Sequence, residues 1–212
     1  MDKQQVKKAL DELKQFPKKK FSQSYDLVIN LKNLVTKQEP IDLFVTVPHS
    51  KGRKIKVAAF VDQQLAAQAE QFCDLVIRET EFQRYDKKKI KTLSQEYDYF
   101  IAQATLMPKI AAVFGKVLGT RGKMPNPKLG CVVPPNAYLE ALVKKLNNTV
   151  RVQSRKGMNL QCLIGKETQP EEEVIDNSIA VYQAVLKAVP NENQNIKNVS
   201  VKMSMSKLVR VI

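Results

Sequence analysis

The spacing of hydrophobic residues changes twice along this chain. In residues 25–31, 41–47 and 55–61, apolar side chains alternate with polar ones, which predicts three strands of a half-exposed, antiparallel sheet. From about residue 62, short apolar strands alternate with helices, which is the pattern of a parallel sheet covered by helices. The strand pattern returns near Thr149 and continues to the end of the chain.

This order predicts an α/β protein in which the middle of the chain is inserted into a domain built from both ends. We place the composite α+β domain at residues 1–61 and 154–212, and the doubly wound, inserted domain at residues 62–153. Amphipathic patterns predict helices near the amino terminus and at residues 63–72, 87–96 and 106–118. A long helix is expected to begin at a capping box formed by Thr168 and Glu171.

The chain is strongly basic. Lys and Arg number 35 against 21 Asp and Glu, a net charge of +14 over 212 residues, and this excess predicts a polyanionic partner. Residues 1–60 carry 13 basic and 6 acidic side chains, and residues 151–212 carry 9 and 6. Because these two ends hold most of the excess charge, the composite domain is the better candidate for the anion-binding surface.

Several classes of protein are excluded by the sequence. No apolar run approaches the roughly 18 residues of a membrane span, and the charged amino terminus lacks the apolar core of a signal peptide. We therefore expect a cytoplasmic protein with no membrane partner. The three cysteines match neither a disulfide framework nor a zinc-binding pattern, so no metal is expected.

A nucleotide-dependent enzyme that uses the middle domain is the main alternative. Its glycines Gly115, Gly119 and Gly122 follow a predicted helix, whereas a phosphate-binding loop needs a glycine-rich turn that opens one. The single histidine, His49, lacks the spacing of a nucleophile and its base. We expect a protein that is not an enzyme and uses no cofactor, and a nonspecific binder of polyanions remains a third possibility.

Two segments have features that suit structured RNA. A basic run at residues 18–20 leads into Phe21 and Ser24; positive charge attracts phosphate, while aromatic and short polar side chains supply selectivity. A solvated connector explains this segment about equally well. Near the carboxyl terminus, Met205 stands between Ser204 and Ser206 in a predicted turn, where it is either core filler or displayed beside two hydroxyls.

Three stretches of the sequence resemble the L-one family of ribosomal large-subunit proteins, which forms the mobile stalk beside the exit site for transfer RNA. The first stretch is residues 20–31, followed by Val47-Pro48-His49 and the strand ending at Phe60. The second is the Gly-x-Arg-Gly-x-Met-Pro-x-Pro loop at residues 119–127. The third is Ser204-Met205-Ser206, where the family usually shows Thr-Met-Gly. The matches follow the family's order through nearly the whole chain. The form Phe-Ser-Gln-Ser-x-Asp resembles the archaeal or eukaryotic branch.

The resemblance implies a Rossmann-like domain inserted into the first domain, and a structural constituent of the ribosome that is a monomer when free. The implied partners are large-subunit ribosomal RNA and exit-site transfer RNA; family members can also repress translation by binding a messenger RNA that imitates the ribosomal site. The implied ribosomal RNA contacts are Phe21, Gln23, Ser24, Asp26, Arg155, Lys156, Gln161, Lys166, Ser204, Met205 and Ser206.

Two further features of the resemblance concern single residues and the second domain. Asp26 is expected to accept hydrogen bonds from a ribose hydroxyl or a base amine. Ser206 and Lys207 replace the family's usual Gly-Pro; because serine at a positive φ costs stability, we expect a different turn or a contact by the hydroxyl. The loop near the interdomain opening contains Gly119, Arg121, Gly122, Met124, Pro125 and Pro127, and a stiff structural loop is the alternative interpretation.

Overall fold

The computed structural model describes residues 1–17, 19–33, 41–154, 157–190 and 192–212. The chain forms two compact units: unit 1 comprises Met1–Arg53 and Asn148–Ile212, and unit 2 comprises Lys54–Asn147. The helices and strands are α1 (Lys3–Lys14), β1 (Ser24–Leu31), β2 (Asp42–Thr46), β3 (Val57–Val61), α2 (Gln63–Phe72), β4 (Leu75–Arg78), α3 (Lys87–Glu96), β5 (Tyr99–Gln103), α4 (Met107–Thr120), β6 (Val132–Val133), α5 (Leu139–Asn147), β7 (Thr149–Gln153), β8 (Asn159–Lys166), α6 (Glu171–Ala188), β9 (Ile196–Met203) and β10 (Val209–Arg210).

Unit 1 is built on an antiparallel sheet with the strand order β10-β9-β1-β8. Successive side chains of a strand point to opposite faces, so Leu27, Ile29 and Leu31 of β1 enter the core. Helices α1 and α6 pack together and contact this sheet, with the apolar stripe of α1 buried. The predicted amphipathic helix at the amino terminus is therefore confirmed. Asp26 and Asn30 alternate with the core residues and lie on the opposite, polar face.

Unit 2 is built on a parallel sheet with the strand order β4-β3-β5-β6. Its core contains a cluster of phenylalanines, in which the rings of Phe82, Phe100 and Phe114 have centroids 5.8, 5.8 and 4.8 Å from that of Phe60. Helices α2 and α3 begin and end at the predicted residues. The predicted α/β fold class is confirmed.

The prediction that β3 belongs to the amino-terminal antiparallel sheet was wrong. All five side chains of Val57–Val61 are buried, and β3 lies between β4 and β5 in the parallel sheet of unit 2. Alternate apolar residues suggested a half-exposed strand, but the intervening Ala58 and Phe60 are also apolar. Such a continuous apolar run is typical of a parallel strand that is covered on both faces.

Strand β2 was also expected in the sheet of β1, and this was wrong as well. It pairs with β7 in a separate two-stranded antiparallel sheet. Because β7 pairs within unit 1 and β3 within unit 2, the units divide at Arg53/Lys54 and Asn147/Asn148. These boundaries differ from the expected divisions after residues 61 and 153.

Helix α6 begins without the predicted capping box. Its first residue is Glu171, and the N-cap residue Pro170 has no side chain that can accept a hydrogen bond. Gln169 instead anchors the start of the helix, because its Oε1 accepts from the backbone N–H of Lys166 (2.9 Å) and its Nε2 donates to the carbonyl oxygen of Ser50 (2.8 Å). Glu171 still lies in the first turn, where a carboxylate complements the helix dipole.

Candidate nucleic-acid interface

Three distant segments of the chain meet at one end of the sheet in unit 1. Strand β1 begins where β8 and β9 end, so Ser24 pairs with Lys166 and Tyr25 pairs with Met203. The antiparallel register therefore brings the segment around Phe21 next to the turn that contains Met205. The family resemblance implied RNA contacts in separate parts of the sequence, and residues from these parts form one cluster here.

The turn after β9 is closed by a hydroxyl group. The Oγ of Ser206 accepts from the backbone N–H of Met203 (2.8 Å) and donates to the carbonyl oxygen of Lys207 (2.9 Å), and the N–H of Ser206 donates to the carbonyl oxygen of Met203 (3.2 Å). Asn33 is the one non-glycine residue with a positive φ in the described part of the chain. The turn therefore accommodates Ser206 without the left-handed backbone that would favour glycine.

This turn is fixed to the beginning of β1 by three hydrogen bonds. The N–H of Ser204 donates to the carbonyl oxygen of Ser24 (3.1 Å), and the N–H of Ser24 donates to Oγ of Ser204 (3.2 Å). The N–H of Met205 donates to Oε1 of Gln23 (3.0 Å). Gln23 is 3% exposed, so its side chain lies beneath the turn and positions Met205 at the surface.

Glu167 supports Gln23 from the other side of the site. The N–H of Gln23 donates to Oε2 of Glu167 (3.2 Å), and the N–H of Glu167 donates to the carbonyl oxygen of Gln23 (2.9 Å). Burial, and secondly the charge of Glu167, raise the pKa of the neighbouring Tyr25 phenol. Sequence reasoning missed Glu167, and the only signal for it is its position next to Lys166.

Large apolar side chains are exposed around this supported turn. The exposed fractions are 52% for Phe21, 66% for Met205 and 56% for Leu208. Lys19, Lys20 and Lys207 are also exposed. Leu208 was not predicted as a site residue, because the sequence assigned it to a final strand. The surface thus combines side chains suited to stacking with cations and hydroxyls.

Two further predicted residues lie on the polar face of the sheet. Nε2 of Gln161 on β8 donates to Oδ2 of Asp26 on β1 at 3.2 Å, and Asp26 lies opposite Lys202 on β9. Lys166 is half-buried at the end of β8. The other two implied contacts, Arg155 and Lys156, lie outside the described residues.

The Met-Pro loop of unit 2 forms a closed helix end. The N–H of Gly122 donates to the carbonyl oxygen of Gly119 (3.0 Å), and that of Lys123 donates to the carbonyl oxygen of Leu118 (2.9 Å); with Gly122 at φ +64°, this is a Schellman motif. Nη1 of Arg121 and Nζ of Lys123 also donate to backbone carbonyls.

The rest of the Met-Pro loop packs on unit 2. Met124 contacts the core, Pro125 is buried, and Pro127 opens a short turn of 3-10 helix. Each of these interactions lies within unit 2 and agrees with a structural role for the loop.

The geometry of unit 2 does not favour a nucleotide site. Gly122 and Lys123 follow the carboxyl end of α4, whereas phosphates bind at the amino end of a helix. At the crevice between β3 and β5, where strand order reverses, Oε1 of the buried Gln103 accepts from the N–H of Asp62 (3.1 Å). Within the described ranges, no cluster of three or more His, Cys, Asp or Glu side chains suits a metal ion.

Among the described residues, no helix combines the length and the apolar character required to cross a bilayer.

Comparison with known proteins identifies the family. Residues 13–207 match the model of the ribosomal protein L1p/L10e family. The large ribosomal subunit protein uL1 of Nanoarchaeum equitans is 36% identical over 98% of each chain, and that of Methanocaldococcus jannaschii is 35% identical over 100% of this chain and 96% of its own. Both relatives are archaeal, which agrees with the predicted archaeal or eukaryotic branch. This chain belongs to the ribosomal protein L1p/L10e family.

Proposed function

We propose that this protein is a structural constituent of the large ribosomal subunit and binds ribosomal RNA at the end of the unit 1 sheet. The observation that carries the proposal is the buried amide of Gln23, which holds the backbone of Met205 and keeps its side chain exposed. Large apolar side chains that are exposed together mark an interaction surface. The family is one of ribosomal proteins and not of enzymes, and its relatives are named for the large ribosomal subunit.

Each group at the site suits a different part of an RNA. The lysines beside Phe21 attract phosphates, and the strength of that attraction falls as salt rises. Phe21 and Met205 provide surfaces on which unpaired bases stack. Asp26 repels phosphate, so its free acceptor capacity suits a ribose 2′-hydroxyl or a base amine. Uncharged contacts therefore supply the selectivity, and the net positive charge of the chain supplies affinity.

Binding to purified large-subunit ribosomal RNA tests this proposal directly. We expect the protein to protect one structured region in footprinting and to prefer that fragment over random duplex RNA at moderate salt. A nonspecific binder of polyanions would instead bind both RNAs equally, and its affinity for both would fall together as salt rises. Equal binding at every salt concentration would contradict the proposal.

Single substitutions test the position of the surface. Phe21→Ala and Met205→Ala should each weaken binding to the protected fragment by roughly 5- to 150-fold, the range expected from loss of one stacking contact. The matched control is Tyr138→Ala, which removes a side chain that is 77% exposed in unit 2. Unchanged affinity of both variants in a folded protein would place the RNA-binding surface elsewhere.

The family resemblance supports two further roles. The protein would contact exit-site transfer RNA when assembled into the ribosome, and it would repress translation if its own messenger RNA imitates the ribosomal site. Recovery of RNA crosslinked to the protein in cells tests both, because reads from transfer RNA or from its messenger should accompany the ribosomal reads. Loss of the messenger reads in the Met205→Ala variant would show that one surface binds both RNAs.

A further inference from the structure

A polar groove of about 560 Å³ adjoins the Asp26–Gln161 pair. It exists because the strands on its two sides belong to different sheets: β8 pairs with β1, whereas β7 pairs with β2, and no ladder joins β7 to β8. The side chains that define its chemistry are Asp26, Arg151, Gln153, Asn159 and Gln161. Its volume falls within the roughly 300–1,000 Å³ of small-ligand pockets.

Arg151 provides a fixed planar surface in this groove. Its Nε and Nη2 donate to Oδ1 and Oδ2 of Asp42, both at 2.8 Å, which is the bidentate geometry that fixes the plane of a guanidinium. The guanidinium carbon also lies 5.3 Å from the centre of the Phe44 ring. Its orientation is therefore set before any ligand binds, and its positive charge is balanced by Asp42.

The charges of the described groove residues disfavour phosphate. Arg151 is paired with a carboxylate, and Asp26 contributes a negative charge. The remaining polar groups are the amides of Gln153, Asn159 and Gln161, each of which can donate and accept hydrogen bonds. Amides of this kind recognise the edges of bases, and a guanidinium plane is a surface on which an unstacked base packs.

We propose that this groove binds one unstacked nucleotide of the RNA, with its base against Arg151 and its edge bonded by Gln153 and Asn159. The inference rests on the proposed ribosomal RNA function, because Asp26 and Gln161 belong to both surfaces. It extends the contact beyond the end of the sheet to the space between β7 and β8. It also assigns selectivity to residues that the sequence did not single out.

A double variant, Gln153→Ala with Asn159→Ala, tests the groove. We expect its affinity for the protected ribosomal RNA fragment to fall roughly 5- to 100-fold, while the slope of affinity against salt concentration stays unchanged because no charge is removed. The matched control is Gln4→Ala, an exposed amide on α1, which lies on the opposite side of the sheet. This control should bind like the unchanged protein.

The nucleotide itself is identified by crosslinking. RNA fragments with 4-thiouridine at single positions are irradiated with the intact protein, and the peptide containing Asn159 is expected to carry the crosslink from one position. An abasic residue at that position should weaken binding to the unchanged protein more than binding to the double variant, because the double variant has already lost the hydrogen bonds to the base edge and keeps only the packing on Arg151.

The outcomes separate this inference from the proposed function. If the unchanged protein shows no preference for large-subunit ribosomal RNA, the proposed function fails. If it shows that preference and Met205→Ala weakens binding, but the folded double variant binds normally, the groove inference is overturned and the proposed function stands. A salt slope that changes in the double variant would also overturn it, since the groove would then bind phosphate.

Discussion

Gln23 shows how one buried amide determines the shape of the candidate surface. Its Oε1 is the acceptor for the N–H of Met205, and its backbone is bonded to Glu167. A buried donor that loses its acceptor is costly, so the turn has one preferred position relative to β1. We therefore predict that Gln23 affects RNA binding by positioning Met205 and not by direct contact of its own side chain.

Replacement of Gln23 by leucine should separate positioning from direct contact. Gln23→Leu leaves the N–H of Met205 without its acceptor, so we expect a loss of about 1–3 kcal/mol of unfolding free energy and weaker binding to the protected RNA fragment. Titration with urea and with RNA measures the two effects.

The matched control for this substitution is Gln103→Leu. It removes an equivalent buried acceptor from the N–H of Asp62 in unit 2 and should cost stability while leaving RNA affinity unchanged. Equal RNA affinity for Gln23→Leu and the unchanged protein would show that the turn needs no support from Gln23.

At the scale of secondary structure, close packing between β8 and α6 holds one side of the site. Gly165 belongs to β8, and a Cβ atom placed on it would lie 2.9 Å from Cγ2 of Val174 and 3.1 Å from Oε1 of Gln169. We expect Gly165→Ala to cost about 1–3 kcal/mol of unfolding free energy through this overlap. By contrast, a Cβ atom placed on Gly115 in α4 would extend into open space.

Gly115→Ala is the control for this substitution. Because alanine is the better helix former, it should raise the unfolding free energy by about 0.5–1 kcal/mol. Thermal or urea unfolding of both variants measures the contrast. A stabilised Gly165→Ala variant would contradict the close approach of α6 to β8.

The contact between α1 and α6 depends on pH through Asp176. Nζ of Lys3 donates to its Oδ1 at 2.8 Å, and this hydrogen bond is the main reason why the pKa of Asp176 lies below the ordinary value of 3.8. The charges of Lys3 and His49 lower this pKa as well, while partial burial opposes them. A carboxylate with a lowered pKa stabilises the folded state above its unfolded pKa, and this contribution disappears as the pH falls through the folded value.

Asp176→Asn should therefore be less stable than the unchanged protein at pH 5–7, and the difference should shrink as the pH falls through the lowered pKa of Asp176. The effect is small and decreases with salt, because the pair is largely exposed. Urea unfolding at several pH values measures it. Glu12→Gln on α1 is the control, since Glu12 forms no ion pair with any described residue. A difference that persists at the lowest pH would assign the effect to the amide itself.

Local patterns predicted elements well and long-range pairing poorly. The bounds of α2 and α3 followed from amphipathic spacing after Asp62 and Asp86, which occupy the N-cap positions. By contrast, the separation of β2 and β7 from the main sheet depends on pairing between distant strands, which local spacing does not specify. The burial of Gln23 was unpredictable for a related reason, because glutamine is usually exposed and its acceptor role depends on a turn far along the chain.

At the scale of the whole molecule, the chain passes from unit 1 to unit 2 and later returns. Within unit 1, the residues next to these two passages are hydrogen-bonded to each other. The N–H of Val47 donates to the carbonyl oxygen of Asn148 (2.8 Å), and Nζ of the buried Lys51 donates to the carbonyl oxygen of Thr149 (2.5 Å). The end of the first segment of unit 1 and the start of the second therefore lie side by side. The core of unit 1 also closes without residues from unit 2.

This arrangement predicts that unit 1 folds and binds RNA alone. When residues 54–147 are replaced by a short glycine-serine linker, the adjacent passages need only a short loop, whose closure costs little entropy. We expect the shortened protein to unfold cooperatively in urea, as measured by circular dichroism. Its affinity for the protected ribosomal RNA fragment should be within about threefold of that of the intact protein at moderate salt, because salt screens the attraction between RNA and the lost lysines of unit 2.

Met205→Ala in the shortened protein is the control, and it should weaken binding by the same factor as in the intact chain, because the two changes are independent. A shortened protein that folds but no longer prefers ribosomal RNA would show that residues of unit 2 take part in recognition. The surface around Gln23, Phe21 and Met205 would then be one part of a larger interface.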